Sequence, residues 1–213
     1  MNEKLLESVQ YLKCCNILET ETFRLYEILS KKLNQPENSF ILGFAYDSLK
    51  CSKIIQGILD YFDTPEIEKM TCKKNLAELA NSISDFSKRI SKINNLNYET
   101  TCEILKDLSD LEDRLSEVYN NYLGPSGIQV ISVEFSKLAV NISNFKKIFE
   151  TFAEEKQKHK ETIIEIIYCF ETKEAERLRN TTPIIKYNNP DSWIHDSTLH
   201  AFSSTPVKEN TEP

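Results

Sequence analysis

Apolar residues recur along most of this chain at steps of three and four, the spacing of one face of an α-helix. Five stretches carry the pattern, at about residues 3–33, 39–62, 66–93, 98–122 and 131–178. The third is the most regular, through Leu76, Leu79, Ile83, Phe86, Ile90 and Ile93, and nothing polar interrupts it. Packing is its plain role. The other four are interrupted, and the interruptions carry the interest.

In the first stretch the stripe runs Leu5, Leu12, Glu19, Tyr26, Leu33, and in the fourth it runs Leu105, Glu112, Tyr119. Both copies read Leu-Glu, six residues, Tyr, at Leu18–Tyr26 and Leu111–Tyr119. A seven-residue step is close to two full turns, so Glu and Tyr share a face. A carboxylate on a core stripe needs a metal, a cation or a proton, because burying it bare is costly. The second stripe lapses at Ser48 and Cys51, and the fifth at Lys156 and His159.

The breaks between stretches are equally legible. Asn34 and Pro36 close the first helix, since Pro lacks an N–H and disfavours a helical residue before it. Asn38 or Ser39 is the expected cap of the second, and Asn97 that of the fourth. Asp63-Thr64-Pro65-Glu66 reads as a stop and a fresh start, with Pro at the first helical position. Gly124-Pro125-Ser126-Gly127 is the strongest break, holding two of the four glycines. From about residue 179 the periodicity fades into Thr-Thr-Pro, Asn-Asn-Pro and Ser-Ser-Thr-Pro, which marks a disordered or loosely docked tail. Its single tryptophan, Trp193, suits a latch onto the chain's own helices or a short partner-binding motif. The domain reading is therefore 1–178 helical and 179–213 tail.

Composition narrows the function classes. With 213 residues and 40% hydrophobic content the chain can build one sizeable core. Four glycines are few for a β-rich or α/β protein. A net charge of −7 argues against a general nucleic-acid binder and gives no attraction to anionic lipid. No run approaches the length of an apolar membrane span, and the first residues do not read as a secretory signal. The six cysteines show no Cys-x-x-Cys pair, so they read as small buried apolar residues in a reducing cytoplasm. No phosphate loop and no nucleophile–base set has supporting context.

Two further segments match. Phe44-Ala45 is followed by Asp47, Lys50 and Cys51; Phe152-Ala153 is followed by Glu155, Lys158 and His159. The helices at 3–33 and 39–62 are thus echoed by those at 98–122 and 131–178, with 66–93 between the halves. This arrangement resembles the ferritin-like superfamily, and rubrerythrin-like domains in particular. The resemblance implies an all-α, four-helix bundle built from two duplicated helix pairs, with an extra crossover helix and a flexible C-terminal tail. In that family one helix of each pair gives a Glu and its partner gives Glu-x-x-His, six side chains holding two irons.

By that resemblance Glu19 and Glu112 stand at metal-ligand positions and His159 at a histidine position. Lys156 then stands where a bridging Glu belongs, while Ser48 and Cys51 replace Glu and His on the second helix. Asp47 and Glu155 sit one residue earlier, about 100° round the helix. A degenerate site follows, with Glu19, Glu112, His159, Cys51 and Asp47 as the metal candidates and Lys156 as a substitute for the metal charge. The first expectation is a binding or scaffold protein that has lost di-iron chemistry and holds no cofactor. Alternatives are an iron- or manganese-dependent oxidoreductase acting on peroxide or oxygen, and an unrelated helical adaptor. The sequence leaves open whether the chain is an enzyme. A protein partner or self-association suits the first and third readings.

Overall fold

In the computed structural model the described residues are 3–62, 72, 74–122, 133 and 143–181. They contain five long helices and no strand: α1 (Glu3–Ser30), α2 (Glu37–Leu59), α3 (Lys74–Lys92), α4 (Tyr98–Tyr122) and α5 (Ser143–Thr181). The chain divides into two compact units, Met1–Glu176 and Arg177–Pro213. Every residue of the polar core described below lies in the first. The expected helical starts at 66 and 131, and the tail with Trp193, fall outside the described residues.

The helix ends follow local chemistry, with two departures from expectation. α1 stops at Ser30, three residues early, and Leu33 is half-buried beyond it. α2 begins at Glu37 behind Pro36, whose position as cap offers no side-chain bond. Asn38 and Ser39 are therefore not the caps. Asn38 instead donates to the Ser30 carbonyl at 3.1 Å, and the Ser39 hydroxyl bonds Gln35 at 2.8 Å. Asn97 does cap α4, its side-chain oxygen accepting from the Thr100 N–H at 2.8 Å. At the end of α3, Lys32 Nζ donates to the Ser91 and Ile93 carbonyls at 3.3 and 2.6 Å, satisfying groups the helix leaves open.

Cross-helix contacts give the packing directions. Asn16 meets Gln56 and Thr20 meets Ser52, so α1 and α2 run antiparallel. Glu37 meets Lys173 while Lys50 meets Glu155, which makes α2 antiparallel to α5. Lys106 faces Glu171 and Asp113 faces Lys160, so α4 is antiparallel to α5. Tyr119 reaches Glu19 while Tyr26 reaches Glu112, placing α4 antiparallel to α1. These four helix pairings close a ring in the order α1, α2, α5, α4.

Leu12, Leu18, Leu25, Leu29, Ile41, Ile55, Leu105, Leu108, Leu115 and Ile163 belong to the core, each at 0–1% exposure. Burial of each such side chain contributes about 1.5–3 kcal/mol. The uninterrupted helix α3 packs on α1 through Leu76, Leu79, Ile83 and Ile90. Among the described residues no helix is long and apolar enough to cross a membrane.

One expectation about the cysteines needs correction. Cys14 of α1 and Cys72 form a disulfide across 58 residues of sequence. Neither short spacing nor a shared motif announces it; α3 packing on α1 brings them together. Cys15, Cys51 and Cys102 are buried free thiols as expected, whereas Cys169 is exposed.

Candidate functional site

The interruptions in the stripes meet inside the ring. Glu19, Glu112, Tyr26, Ser48, Cys51 and Lys156 are each fully buried, Tyr119 is 1% exposed and His159 is 4% exposed. Helical periodicity explains the convergence, because each residue replaces an apolar one on a core-facing stripe. What the stripes could not show is who pairs with whom.

Glu19 is held twice. Its Oε1 accepts the Tyr119 hydroxyl at 2.6 Å, and its Oε2 accepts Lys156 Nζ at 2.8 Å. Lys156 also donates to Ser48 Oγ at 3.0 Å. Ser48 and Lys156, the two polar substitutions facing each other from α2 and α5, thus join one network. Burial works against the Lys156 ammonium. The charges of Glu19 and Glu112 and the bond to Glu19 outweigh it and hold the pKa above the ordinary lysine value.

Glu112 is held differently. Its Oε1 accepts the Tyr26 hydroxyl and lies 3.4 Å from His159 Nδ1. Its Oε2 is buried and has no hydrogen-bond partner among the described residues. Burial raises the Glu112 pKa, but the Lys156 charge, His159 and Tyr26 together bring it below the ordinary glutamate value. Both tyrosines are pushed well above the ordinary phenol value, by burial first and then by the glutamate each one faces. They therefore remain hydrogen-bond donors at neutral pH.

The remaining candidates lie toward the surface side of α2 and α5. His159 stacks on Phe44 with ring centroids 4.2 Å apart, and its Nε2 lies 3.2 Å from Asp47 Oδ2. Asp47, its side chain 40% exposed, reaches the histidine and not the inner carboxylates. Lys50 bridges Asp47 at 3.1 Å and Glu155 at 2.6 Å. Cys51 Sγ donates to Glu155 Oε2 at 3.6 Å. Burial and the Glu19 charge push the Cys51 thiol up, which holds it as the neutral thiol near neutral pH. The stacking of Phe44 and the Lys50–Glu155 bridge were not foreseen; a Phe and a Lys at these offsets are ordinary helix residues in sequence.

A bound iron or manganese needs several free lone pairs converging on one point. Both Glu19 oxygens are engaged, one of them by the Lys156 ammonium, and among the described residues Glu112 offers one open oxygen. Among the described residues no three His, Cys, Asp or Glu side chains form a metal-binding group. The donor set in this arrangement does not fit a metal. It fits a charge-compensated core: two carboxylates, one ammonium and neutral hydroxyl donors. Cavities of about 420 and 380 Å³ border α3, and neither is lined by a residue of this network.

No family model, curated protein or solved structure matches the chain.

Proposed function

We propose that this chain is a ferritin-like, rubrerythrin-like helical bundle whose metal centre has been replaced by an ion pair, and that it serves as a binding or scaffold protein. The observation that carries the reading is the buried Lys156–Glu19 contact, which puts a fixed cation where a metal charge would otherwise sit. Two features support the family assignment. The ring order α1, α2, α5, α4 with α3 between the halves suits two helix pairs joined by a crossover. The crossed Tyr119–Glu19 and Tyr26–Glu112 bonds suit two halves related by duplication.

The chemistry supports a structural role for the core. Its lysine is held as an ammonium, its tyrosines as phenols and its nearest cysteine as a thiol, so none is poised as a nucleophile near neutral pH. Binding would then use the outer surfaces of the helices. The experiment is metal analysis of the full chain purified from cells supplemented with iron and manganese. The proposal expects no stoichiometric metal. One or two irons or manganese ions per chain would overturn it in favour of the oxidoreductase alternative, for which the open Glu112 Oε2 is the one supporting observation.

The disulfide bears on where the protein works. Cys14–Cys72 favours an oxidising environment over the reducing cytoplasm that scattered cysteines suggest.

A further inference from the structure

α1 presents two different faces. Cys15, Glu19 and Tyr26 share the face turned to the polar core, at steps of four and seven. Cys14, Ile17 and Glu21, at steps of three and four, lie roughly a third of a turn away. On that second side Cys14 is bonded to Cys72, and a cavity of about 380 Å³ opens between α1 and α3. Ile17 and Glu21 line it from α1, Ala77, Ala80 and Ser84 from α3, and Cys72 stands in its wall. The two sulfurs are not equivalent. Cys14 is 4% exposed, whereas Cys72 is half-buried and borders the cavity.

We propose that Cys72 is a site of reversible S-thiolation, entered through this cavity by a low-molecular-weight monothiol. The incoming thiolate attacks Cys72 Sγ. A new disulfide forms between the small thiol and Cys72, the Cys14–Cys72 bond breaks, and Cys14 leaves as a thiolate that takes a proton from water. One disulfide is exchanged for another, so no oxidant is required. Two opposing factors set the outcome. Cys14 in its apolar setting is the poorer leaving group, which slows attack at Cys72. Cys14 is buried whereas Cys72 is half-buried and borders the cavity, and access decides the site.

The exchange would release the covalent link between α1 and the segment leading into α3. Because the disulfide and the polar core occupy different faces of α1, the Lys156–Glu19 pairing is not dismantled with it. The modified state is therefore a folded protein with a loosened α3, carrying a small thiol at the seam.

The test uses the full chain, isolated under alkylating conditions without reductant and incubated with reduced glutathione. Peptide mass mapping follows acid quenching and alkylation. The expected product carries glutathione on Cys72, with Cys14 alkylated only after denaturation. Substituting Ala80→Phe to fill the cavity slows the exchange several-fold while leaving the thermal transition of the oxidised protein in place. Glutathione on Cys14, or exchange only in denaturant, overturns the proposal. So do two free thiols at 14 and 72 in the isolated protein, or an unchanged rate in a folded A80F variant.

Discussion

Lys156 Nζ lies 2.8 Å from Glu19 Oε2, and the two side chains are 1% and 0% exposed. A pair so placed has lost nearly all hydration, and the desolvation penalty is several kcal/mol per ion. It persists because each partner is bonded further: Glu19 to Tyr119, and Lys156 to Ser48. Removing one member is thus far worse than removing both.

Substituting Lys156→Met leaves Glu19 buried with only the tyrosine, and should cost about 3–5 kcal/mol of unfolding free energy. The double variant E19Q/K156M removes both charges and should recover most of that loss. Urea titration of the two proteins checks this. If the double variant is as unstable as the single, the ion pair is not what Lys156 contributes.

The two crossed hydroxyl bonds should respond in the same direction but unequally. Tyr26→Phe and Tyr119→Phe each remove a donor to a buried carboxylate, at a cost of about 1.5–3 kcal/mol. Y26F should be the more damaging, since Glu112 already has one oxygen without a partner while Glu19 keeps Lys156. Denaturant midpoints at constant slope rank them.

The pH profile of stability follows from the direction of each shift. Glu112 is held below its ordinary value of 4.5, so its contribution is full above that pH and is lost as acid takes the pH down through the folded value. Asp47, also lowered because bonds from Lys50 and His159 outweigh its burial, acts in the same sense. Lys156 is raised above 10.5, so its contribution is full below that pH and is lost as pH rises toward the folded value. Thermal midpoints should be flat between about pH 5 and 8 and fall on either side, the alkaline fall beginning with the buried Cys15 and Cys51 thiols, which are also held above their ordinary value. Glu112→Gln should blunt the acid limb and, by removing one of the two charges that hold Lys156 up, bring the alkaline fall to lower pH.

Metal affinity should be gained by substitution. Lys156→Glu removes the cation and adds a carboxylate beside Glu19 and Glu112, leaving three buried carboxylates that repel one another without a counter-charge. The variant should be less stable than the native chain in chelator and should be stabilised by added iron(II) or manganese(II) in a thermal-shift assay. The native chain should show no such shift.

The helical content and the polar core were largely readable because both rest on one periodicity. Glu19, Glu112, Lys156 and His159 fall on stripes whose inward direction is set by their leucine and phenylalanine neighbours. Pairing was not readable. That Glu19 takes the tyrosine of α4 and not its own, or that Asp47 turns to His159, depends on the relative slide of helices, which a single helix does not encode. The Cys14–Cys72 bond was invisible for a related reason, since its ends are 58 positions apart with a whole helix between them. The start of α2 was misjudged because two good capping residues sit just inside it and use their side chains elsewhere.

The crossed tyrosine–glutamate bonds have a mechanical consequence. Each helix supplies one donor and one acceptor seven residues apart, and the partner supplies the same set in reverse. Sliding α1 along α4 by a single residue, about 1.5 Å, shifts both bonds by the same amount and in the same sense, so neither is kept at the expense of the other. Rotating either helix by one position, about 100°, withdraws both at once. The pair is therefore an indexing device: it sets the axial and angular position of the two helices together, and it tolerates no intermediate setting.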